Sequence, residues 1–512
     1  MDPNEERRGA GPDTGGPPLV ARAGPASPGP AERRVGLALL GAALAGGACL
    51  RVWLALHDDG VYWPDEVFQS LEPAHRLAFG YGMVAWEFAI GARSWALPGL
   101  IAGLFKLCEW AHLLEPRAYL TVTRLTFCGL GVATAFGSFR LARTYRASVM
   151  AAAAGASLFA LAAPAIYFSH RAMSETASAL PVVLGFAFAL EVSPRRWQGW
   201  LGPCLLGLSV LLRLQNALFC AALVAVLLCR RQWLRALQAT MVLCAWALLF
   251  GLLDRLTWGE WFHSALVYLR FNLVQGGAVR WGSAGFGYYA RVLWTSMPLP
   301  TIAAAVLGGV AAWRARGLWA VALLFVLAHS WTEHKELRFI YPALPLLFAL
   351  AGVGVDEAAR RLGRSPRGRR LWGRALAGAC ALCGVLSGAA YRSLTWGELG
   401  AYETVKPGES AYDDSGPVNR LLLAGRELPD LCGVKILDID LAWTGAFTYL
   451  HRRVQLYSNF GPPRETQLYN YAITHGKPGW PGEVVLEDHN WMLVRLARPP
   501  CVRDVAYDWQ LH

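Results

Sequence analysis

Apolar residues run along this chain in long blocks rather than in the short periodic patterns of soluble elements. Eleven blocks are long enough, or nearly so, to cross a bilayer as helices. They lie near 35–57, 120–140, 147–168, 174–192, 198–212, 215–229, 233–254, 290–312, 317–332, 342–358 and 371–392. A twelfth, near 95–113, is interrupted by Pro98, Gly99, Lys106 and Glu109. Residues 1–34 are rich in Gly, Pro, Ala and Arg without an apolar period, which predicts a disordered cytoplasmic tail. The first apolar block starts too late and is too long for a cleavable signal peptide, so it reads as a signal anchor. Beyond residue 393 the blocks give way to strand-like runs at Gly433–Asp440, Val454–Ser458, Glu483–Glu487 and Trp491–Ala497, the last two forming a hairpin across Asp488-His489-Asn490. The pattern therefore predicts an α-helical multi-pass membrane domain over 35–393 and a small soluble α/β domain over 394–512, with no internal repeat.

Charge decides the twelfth block. The chain is 55% hydrophobic and 16% charged, with a net charge of +12. Its arginines sit in short clusters between apolar blocks: Arg140/Arg143/Arg146, Arg195/Arg196, Arg230/Arg231/Arg235, Arg314/Arg316 and Arg360 to Arg374. That spacing is a topology signal and argues against nucleic acid as a partner. With the tail cytoplasmic, all these clusters fall inside only if 95–113 does not span, so that block is expected to be re-entrant or in-plane. The same choice puts every polar constellation on one face.

The richest of these is the first loop, Asp58 to Trp95. It carries adjacent carboxylates, Asp65 and Glu66, then Gln69, Glu72, His75 and Glu87 among Trp63, Trp86 and other aromatics. Aromatic faces pack on sugar rings and a carboxylate can take a proton from a hydroxyl, so the mixture suits a reaction on a lipid-borne sugar. Acids after a proline also suit the first turn of a helix, and one acid can be structural while the other reacts. The second constellation is Glu333-His334-Lys335-Glu336-Leu337-Arg338. Its cations read either as a headgroup-holding loop or as a site for a lipid phosphate that gains charge as it leaves. Arg171 and Glu175 are spaced to pair on a helix, and Arg213 breaks two short apolar blocks as cavity-lining residues do. These three divide evenly between scaffold and site. The acid spacings do not argue for a metal: two acids could hold a divalent ion, but none is required. There is no nucleotide-binding glycine loop.

Trp63-Pro64-Asp65-Glu66-x-x-Gln69-x-x-Glu72, with His75, Gly80-Tyr81-Gly82 and Trp86-Glu87-Phe88, resembles the first signature of glycosyltransferase family 22. His334-Lys335-Glu336-x-Arg338-Phe339-Ile340-x-Pro342 resembles its second, in the expected order, and Arg171-x-x-Ser174-Glu175 a weaker third. The likeness covers roughly residues 35–350 and is nearest to the branch that builds glycosylphosphatidylinositol (GPI) anchors, although Ala85 stands where that branch often has Thr. The resemblance implies a GT-C membrane fold and a polyprenyl- or dolichyl-phosphate mannose donor. It also implies inverting transfer to a lipid-linked glycan, giving an α-mannoside. With the residue reading, it casts Asp65 as general base and Glu66 as its support. His334, Lys335 and Arg338 become donor-phosphate ligands. Trp63, Gln69, Glu72, His75, Trp86, Glu87, Arg171, Glu175 and Arg213 become substrate-binding candidates.

Two rivals remain on the sequence: a GT-C transferase of another sugar, arabinose or glucose, and a lipid flippase, which would carry internal pseudo-symmetry. The active face is external or lumenal, in a bacterial plasma membrane or that of the endoplasmic reticulum. The absence of an Asn-x-Ser/Thr sequon from the external segments leans toward the former. Of eleven cysteines, nine lie in or beside apolar blocks. Cys380 and Cys383 read as helix-packing residues despite their CxxC spacing. Cys432 and Cys501 are candidates for a disulfide, the competing reading being two unpaired small residues.

Overall fold

The computed structural model describes residues 30–191, 195–400, 407–412, 415–458, 467–476, 482–497 and 501–511. Most of the predicted cytoplasmic tail, residues 1–29, lies outside them; the first helix begins at Pro30 rather than at residue 35. Among the described residues five helices are long and apolar enough to cross a membrane: α1 (Pro30–His57), α4 (Pro116–Thr144), α9 (Trp233–Thr257), the run Leu337–Leu362 and α13 (Pro366–Ala389). Between α1 and α4 lie α2 (Glu72–Phe79) and α3 (Ala96–Trp110). Shorter apolar helices fill the bundle: α5 (Val149–Leu161), α6 (Ser174–Ala189), α7 (Arg196–Leu212), α8 (Ala217–Cys229), α10 (Pro298–Ala311) and α11 (Arg316–Trp331). The regular helix within Leu337–Leu362 is α12 (Leu344–Leu362).

Two blocks expected as single spans are broken. The 147–168 block bends at Ala162, which is extended (φ −63°, ψ 128°) just ahead of Pro164, and the 290–312 block bends at Met297 (φ −154°, ψ 64°) before Pro298. Proline crowds the residue directly ahead of it out of the helical region, which accounts for Met297; Pro164 instead sits in the first turn of the helix that restarts at Ala163, a place proline suits, with Ala162 as its extended N-cap. α5 is buried along its whole length. Its small residues allow backbones to meet: a Cβ on Gly155 would lie 2.4 Å from the Phe348 carbonyl, so α5 and α12 pack in direct contact. Block 95–113 becomes α3, with 15 residues and thus about 22 Å long, short of the roughly 30 Å hydrocarbon core. α3 buries Leu97, Ile101 and Phe105 while Leu100, Leu107 and Trp110 stay exposed. That is the build of a helix lying in an interface.

The C-terminal part carries α14 (Gly416–Gly425) and a five-stranded sheet of order β2-β1-β3-β5-β4. The strands are β1 (Gly433–Ile436), β2 (Gln455–Tyr457), β3 (Tyr471–His475), β4 (Gly482–Asp488) and β5 (Trp491–Leu496). β1 runs parallel to β2 and β3, whereas β3–β5 and β5–β4 are antiparallel. The expected hairpin is β4–β5, with Asp488 opposite Trp491 across a two-residue turn. Cys432 and Cys501 form a disulfide with Cα atoms 6.0 Å apart. The strands beside them, β1 and β5, are not adjacent but flank β3; β1 begins and β5 ends on the same side of the sheet.

This domain is not a free appendage. Val418, Leu421, Ile436, Phe447 and Leu450 share one apolar core with Val67, Phe68 and Leu71 of the first loop and with α3. The end of the chain ties back to the same loop, Val84 N donating to the Trp509 carbonyl at 2.7 Å and Leu511 N to the Val84 carbonyl at 3.2 Å.

Candidate active site

Pro64 at the first position of a short helical turn sets Asp65 and Glu66 side by side, and a π-helical turn, Val67–Leu71, follows. Such turns recur at functional sites because they rotate successive side chains away from the regular helical face. Here the two acids part. Asp65 faces a cleft of ≈ 630 Å³ whose walls include Gln69, Arg93, Glu175, Arg213, Tyr268 and Arg338. Glu66 turns inward and is buried, its Oε2 accepting from Arg171 Nη1 at 2.9 Å and from Tyr62 N at 3.2 Å.

Arg338 is the hub of the cleft. Its Nη2 donates to Asp65 Oδ2 at 2.5 Å, its Nη1 to Glu175 Oε1 at 3.1 Å and its Nε to Glu336 Oε2 at 2.7 Å. Three carboxylates thus share one guanidinium that is 3% exposed. Burial would raise the Glu336 carboxyl, but Arg338 and His334 hold it down at about 2. Arg213, from the end of α7, pairs with Glu175 Oε1 at 2.7 Å through Nη1. Its Nε and Nη2 are buried and make no hydrogen bond. Buried donors of a charged group are costly to leave unpaired, and these two are open to an acceptor entering the cleft. Arg93 is a further cation on the wall, its Nε also without a partner. Beside it Gln69 Nε2 donates to Glu87 Oε1 at 2.8 Å. Burial, opposed by Arg93 and assisted by Asp65, pushes the Glu87 carboxyl up to about 7.

Several predicted site residues are placed elsewhere. His334 and Lys335 do not line the cleft. His334 contacts the Gly282 carbonyl and Glu336, while the Lys335 ammonium is held by the carbonyls of Thr332, Glu333 and Ala284. Both clamp the 282–284 segment to the loop, because a buried cation between two backbone strands takes the nearest carbonyls. Glu72 faces the C-terminal domain and accepts from Met83 N, Thr448 N and Thr448 Oγ1 at 2.7, 2.9 and 2.7 Å. His75 sits there too, 2.9 Å from His451 Nδ1 and 3.0 Å from the Tyr81 carbonyl. Trp63 packs edge-on to Trp443, and Trp86 stacks on Trp281 with centroids 5.3 Å apart. Arg171 is buried behind the cleft, its guanidinium 4.5 Å from the Tyr167 ring centroid and bonded to Asp58 as well as Glu66.

The sequence reading also passed over Asp58 and Asp59. Asp58 accepts from Gly60 N at 2.9 Å and from Arg171 at 3.0 Å, and meets His170 at 2.9 Å. Against the cost of burial, Arg171 and then His170 hold its carboxyl well below the ordinary range. Asp59 pairs with Arg117 and Arg124, both at 3.2 Å. The signal was available: an Asp-Asp pair straight after an apolar block needs cations, and His170-Arg171 is the nearest polar run of the bundle. Asp65 and Glu66, facing different arginines, do not converge as a ligand pair. Among the described residues no group of three His, Cys, Asp or Glu side chains is arranged to hold a metal.

A helical membrane bundle, a polar cleft beside a carboxylate loop and a small terminal sheet define the GT-C class of membrane glycosyltransferases. ArnT from Cupriavidus metallidurans, in its structure bound to undecaprenyl phosphate, aligns with a TM-score of 0.56 over 88% of this chain and 97% of that one, at 14% identity. The Archaeoglobus fulgidus oligosaccharyltransferase aligns at 0.55 over 86% and 69%, at 12% identity. Within that class the chain belongs to the Alg9-like mannosyltransferase family, which it matches over residues 47–387. The family match bears out the resemblance read from the two signatures. GPI mannosyltransferase 3 of Yarrowia lipolytica is 31% identical over 62% of each chain. Mannosyltransferase APTG1 of Arabidopsis thaliana is 29% identical over 59% of this chain and 56% of that one. GPI alpha-1,2-mannosyltransferase 3 of Homo sapiens is 25% identical over 57% and 54%. The chain thus spans less than two thirds of these relatives.

Proposed function

We propose that this protein is an inverting α-mannosyltransferase. It moves mannose from a polyprenyl- or dolichyl-phosphate donor to a lipid-linked glycan of the GPI type, on the lumenal face of the endoplasmic reticulum membrane. One observation carries the reading: Asp65 is the acid of the first loop that reaches the cleft, with 24% of its side chain exposed, beside the unpartnered donors of Arg213. The relatives' names support mannose, the GPI acceptor and the α-1,2 linkage. The disulfide of the C-terminal domain suits an oxidising compartment.

In this reading the acceptor hydroxyl oxygen attacks the anomeric carbon from the face opposite the phosphate. The new C–O bond forms as the bond to the phosphate oxygen breaks, and that electron pair leaves on the lipid phosphate monoester. Asp65 takes the hydroxyl proton. A protonated Asp65 loosens its hold on Arg338 Nη2 as charge grows on the leaving phosphate. Arg213 contributes two donors whose places are open beforehand, so little reorganisation is needed when charge develops. Glu175 fixes both arginines. Glu66, with Arg171, sets the loop. No step passes through a divalent metal.

The test is the purified full chain in lipid nanodiscs, given polyprenyl-phosphate mannose, glucose or arabinose and a GPI-type glycolipid. Transfer of mannose with inversion is expected. Transfer of only another sugar would replace the donor, and lipid translocation without a product would favour the flippase.

A further inference from the structure

The polar groups of the cleft close into a circuit of two arcs that share Asp65. One arc runs Arg213–Glu175–Arg338–Asp65 through ion pairs of 2.7, 3.1 and 2.5 Å. The other continues from Asp65 to Gln69 on the same run of turns and returns toward Arg213 by way of Glu87, Arg93, Tyr268 and Gln215. Gln69 Nε2 donates to Glu87 Oε1 at 2.8 Å, and Arg93 Nη2 lies 3.9 Å from the same oxygen. The Arg93 guanidinium stands 5.6 Å from the Tyr268 ring centroid, and Gln215 Nε2 donates to the Tyr268 phenol oxygen. Tyr268 rides on a short helix, His263–Leu269, whose start is pinned by buried Asp254, which accepts from Ser264 N at 2.8 Å. Trp258 Nε1 donates to the Arg93 carbonyl at 3.1 Å and ties this segment to the first loop. The arcs differ in chemistry. In the first, the carboxylates grip arginines and Nε and Nη2 of Arg213 stay open, which suits the leaving phosphate. In the second, Gln69, Arg93, Gln215 and Tyr268 line the cleft while Glu87 is buried behind them. Glu87 fixes the Gln69 amide, whose carbonyl oxygen can accept. The phenol proton of Tyr268 can be donated, and Arg93 Nε is buried without a hydrogen-bond partner. Amides, a phenol and one guanidinium are groups that hold neutral hydroxyls.

We propose that Gln69, Arg93, Gln215 and Tyr268 form the subsite for the terminal sugar of the lipid-linked acceptor, and that Arg93 and Tyr268 select the sugar that is extended. The inference rests on the glycosyl-transfer reading above. Inversion puts the attacking hydroxyl and the leaving phosphate on opposite faces of the anomeric carbon. With the phosphate at Arg213, at the far end of the first arc, the hydroxyl that gives its proton to Asp65 comes from the side of the second.

The experiment is the binding of single ligands, so that no transfer takes place. Full-length protein in detergent is titrated separately with a fluorescent mannose-terminated glycosylphosphatidylinositol, with undecaprenyl phosphate mannose and with undecaprenyl phosphate. Arg93→Gln is expected to weaken glycolipid binding about tenfold, the scale of a lost charged hydrogen bond, and Tyr268→Phe about fivefold, the scale of a neutral one. Affinity for the other two ligands is expected to stay within about twofold, which shows an intact fold. Weaker binding of undecaprenyl phosphate mannose beside unchanged glycolipid binding would make this arc a reader of the donor sugar and overturn the proposal. Unchanged glycolipid binding in both variants, equal loss of all three ligands, or no glycolipid binding by the wild type would each overturn it too. Failure of undecaprenyl phosphate to bind the wild type would instead count against the donor reading, while glycolipid binding would still report on this subsite.

Discussion

Asp65 and Glu66 are neighbours of like chemistry whose surroundings set their tasks apart, and Asp65→Asn against Glu66→Gln tests the separation. Asp65 is partly exposed, and Arg338 keeps Glu175 and Glu336 when Asp65 loses its charge. The stability cost of Asp65→Asn is therefore expected at about 1 kcal/mol or less. Its turnover should fall about a hundredfold or more, the contribution of a positioned base, equivalent to about 2.7 kcal/mol of barrier. Glu66 is buried and its Oε2 takes hydrogen bonds from Arg171 and Tyr62. Removing one partner of a buried ion pair costs about 3–5 kcal/mol. Here Arg171 keeps Asp58, and a glutamine oxygen can still accept one bond, so about 2 kcal/mol is expected, the worth of a charged hydrogen bond. Mannose turnover, undecaprenyl phosphate affinity and the thermal midpoint are measured together in detergent. Asp65→Asn should lose rate at a nearly constant midpoint; Glu66→Gln should lose midpoint first, its remaining folded fraction turning over within about tenfold of wild type. A dead Glu66→Gln protein with unchanged midpoint and phosphate affinity, beside an active Asp65→Asn, would refute the assignment.

Arg213→Ala should weaken undecaprenyl phosphate binding about 10- to 100-fold, with partial recovery in Arg213→Lys, because a point charge replaces a fork of donors; Lys335→Ala should instead lower the thermal midpoint and leave that affinity within about twofold. The His75–His451 contact should loosen in acid. Burial first, then mutual repulsion for His75 and Arg426 for His451, depress these imidazoles to about 3 and about 4 from 6.5. A depressed base contributes its full stability above about 6.5 and loses it as pH falls toward 4. Glu72, raised to about 7 by burial, works in the opposite sense, its share present below 4.5 and lost as pH rises through 7. A His75→Gln, His451→Gln double variant leaves Glu72 in place, so wild type should lose stability as pH falls from 6.5 toward 4.5 while the variant's protease-release curve slopes the other way; identical slopes would refute the histidine contribution. Reducing Cys432–Cys501, 69 positions apart in sequence, should cost up to about 4 kcal/mol, read as earlier proteolysis of the C-terminal domain.

The parts of this fold legible in the sequence are those written in consecutive residues. The apolar blocks became helices, and the Asp488–Trp491 turn became a hairpin. The Pro64-Asp65-Glu66 and Leu337–Ala343 segments met across the cleft although they are far apart in the chain. What escaped is what depends on a partner. β3 is the sheet's central strand, yet Tyr471–Thr474 are all buried, so it shows no alternation to detect. Glu72 and His75 carry the look of a sugar site because they follow Asp65 and Gln69 within the same run of helical turns, Pro64–Phe79. Only the docking of Thr448 and His451 onto that turn reveals them as an interdomain seam.

The cations make the same point in electrostatic terms. In sequence, His334, Lys335 and Arg338 look like one positive cluster facing one anion. A buried charge, however, must be matched where it lies, and the three find different matches, among them a carbonyl and a carboxylate for His334, backbone carbonyls for Lys335 and three carboxylates for Arg338. Proximity in sequence does not measure availability to a ligand. Availability belongs to donors that the fold leaves unmatched, and among the described residues of this cleft Nε and Nη2 of Arg213 and Nε of Arg93 are buried without a hydrogen-bond partner. Arg213 was legible as an arginine between two short apolar blocks, where the membrane makes any charge expensive. Its open donors were not, because they follow from Glu175 occupying only Nη1, a contact between the start of α6 and the end of α7. A phosphate entering there would complete a coordination that the protein has half built, which is why affinity for the lipid phosphate should track Arg213 more closely than any member of the Glu333–Pro342 run.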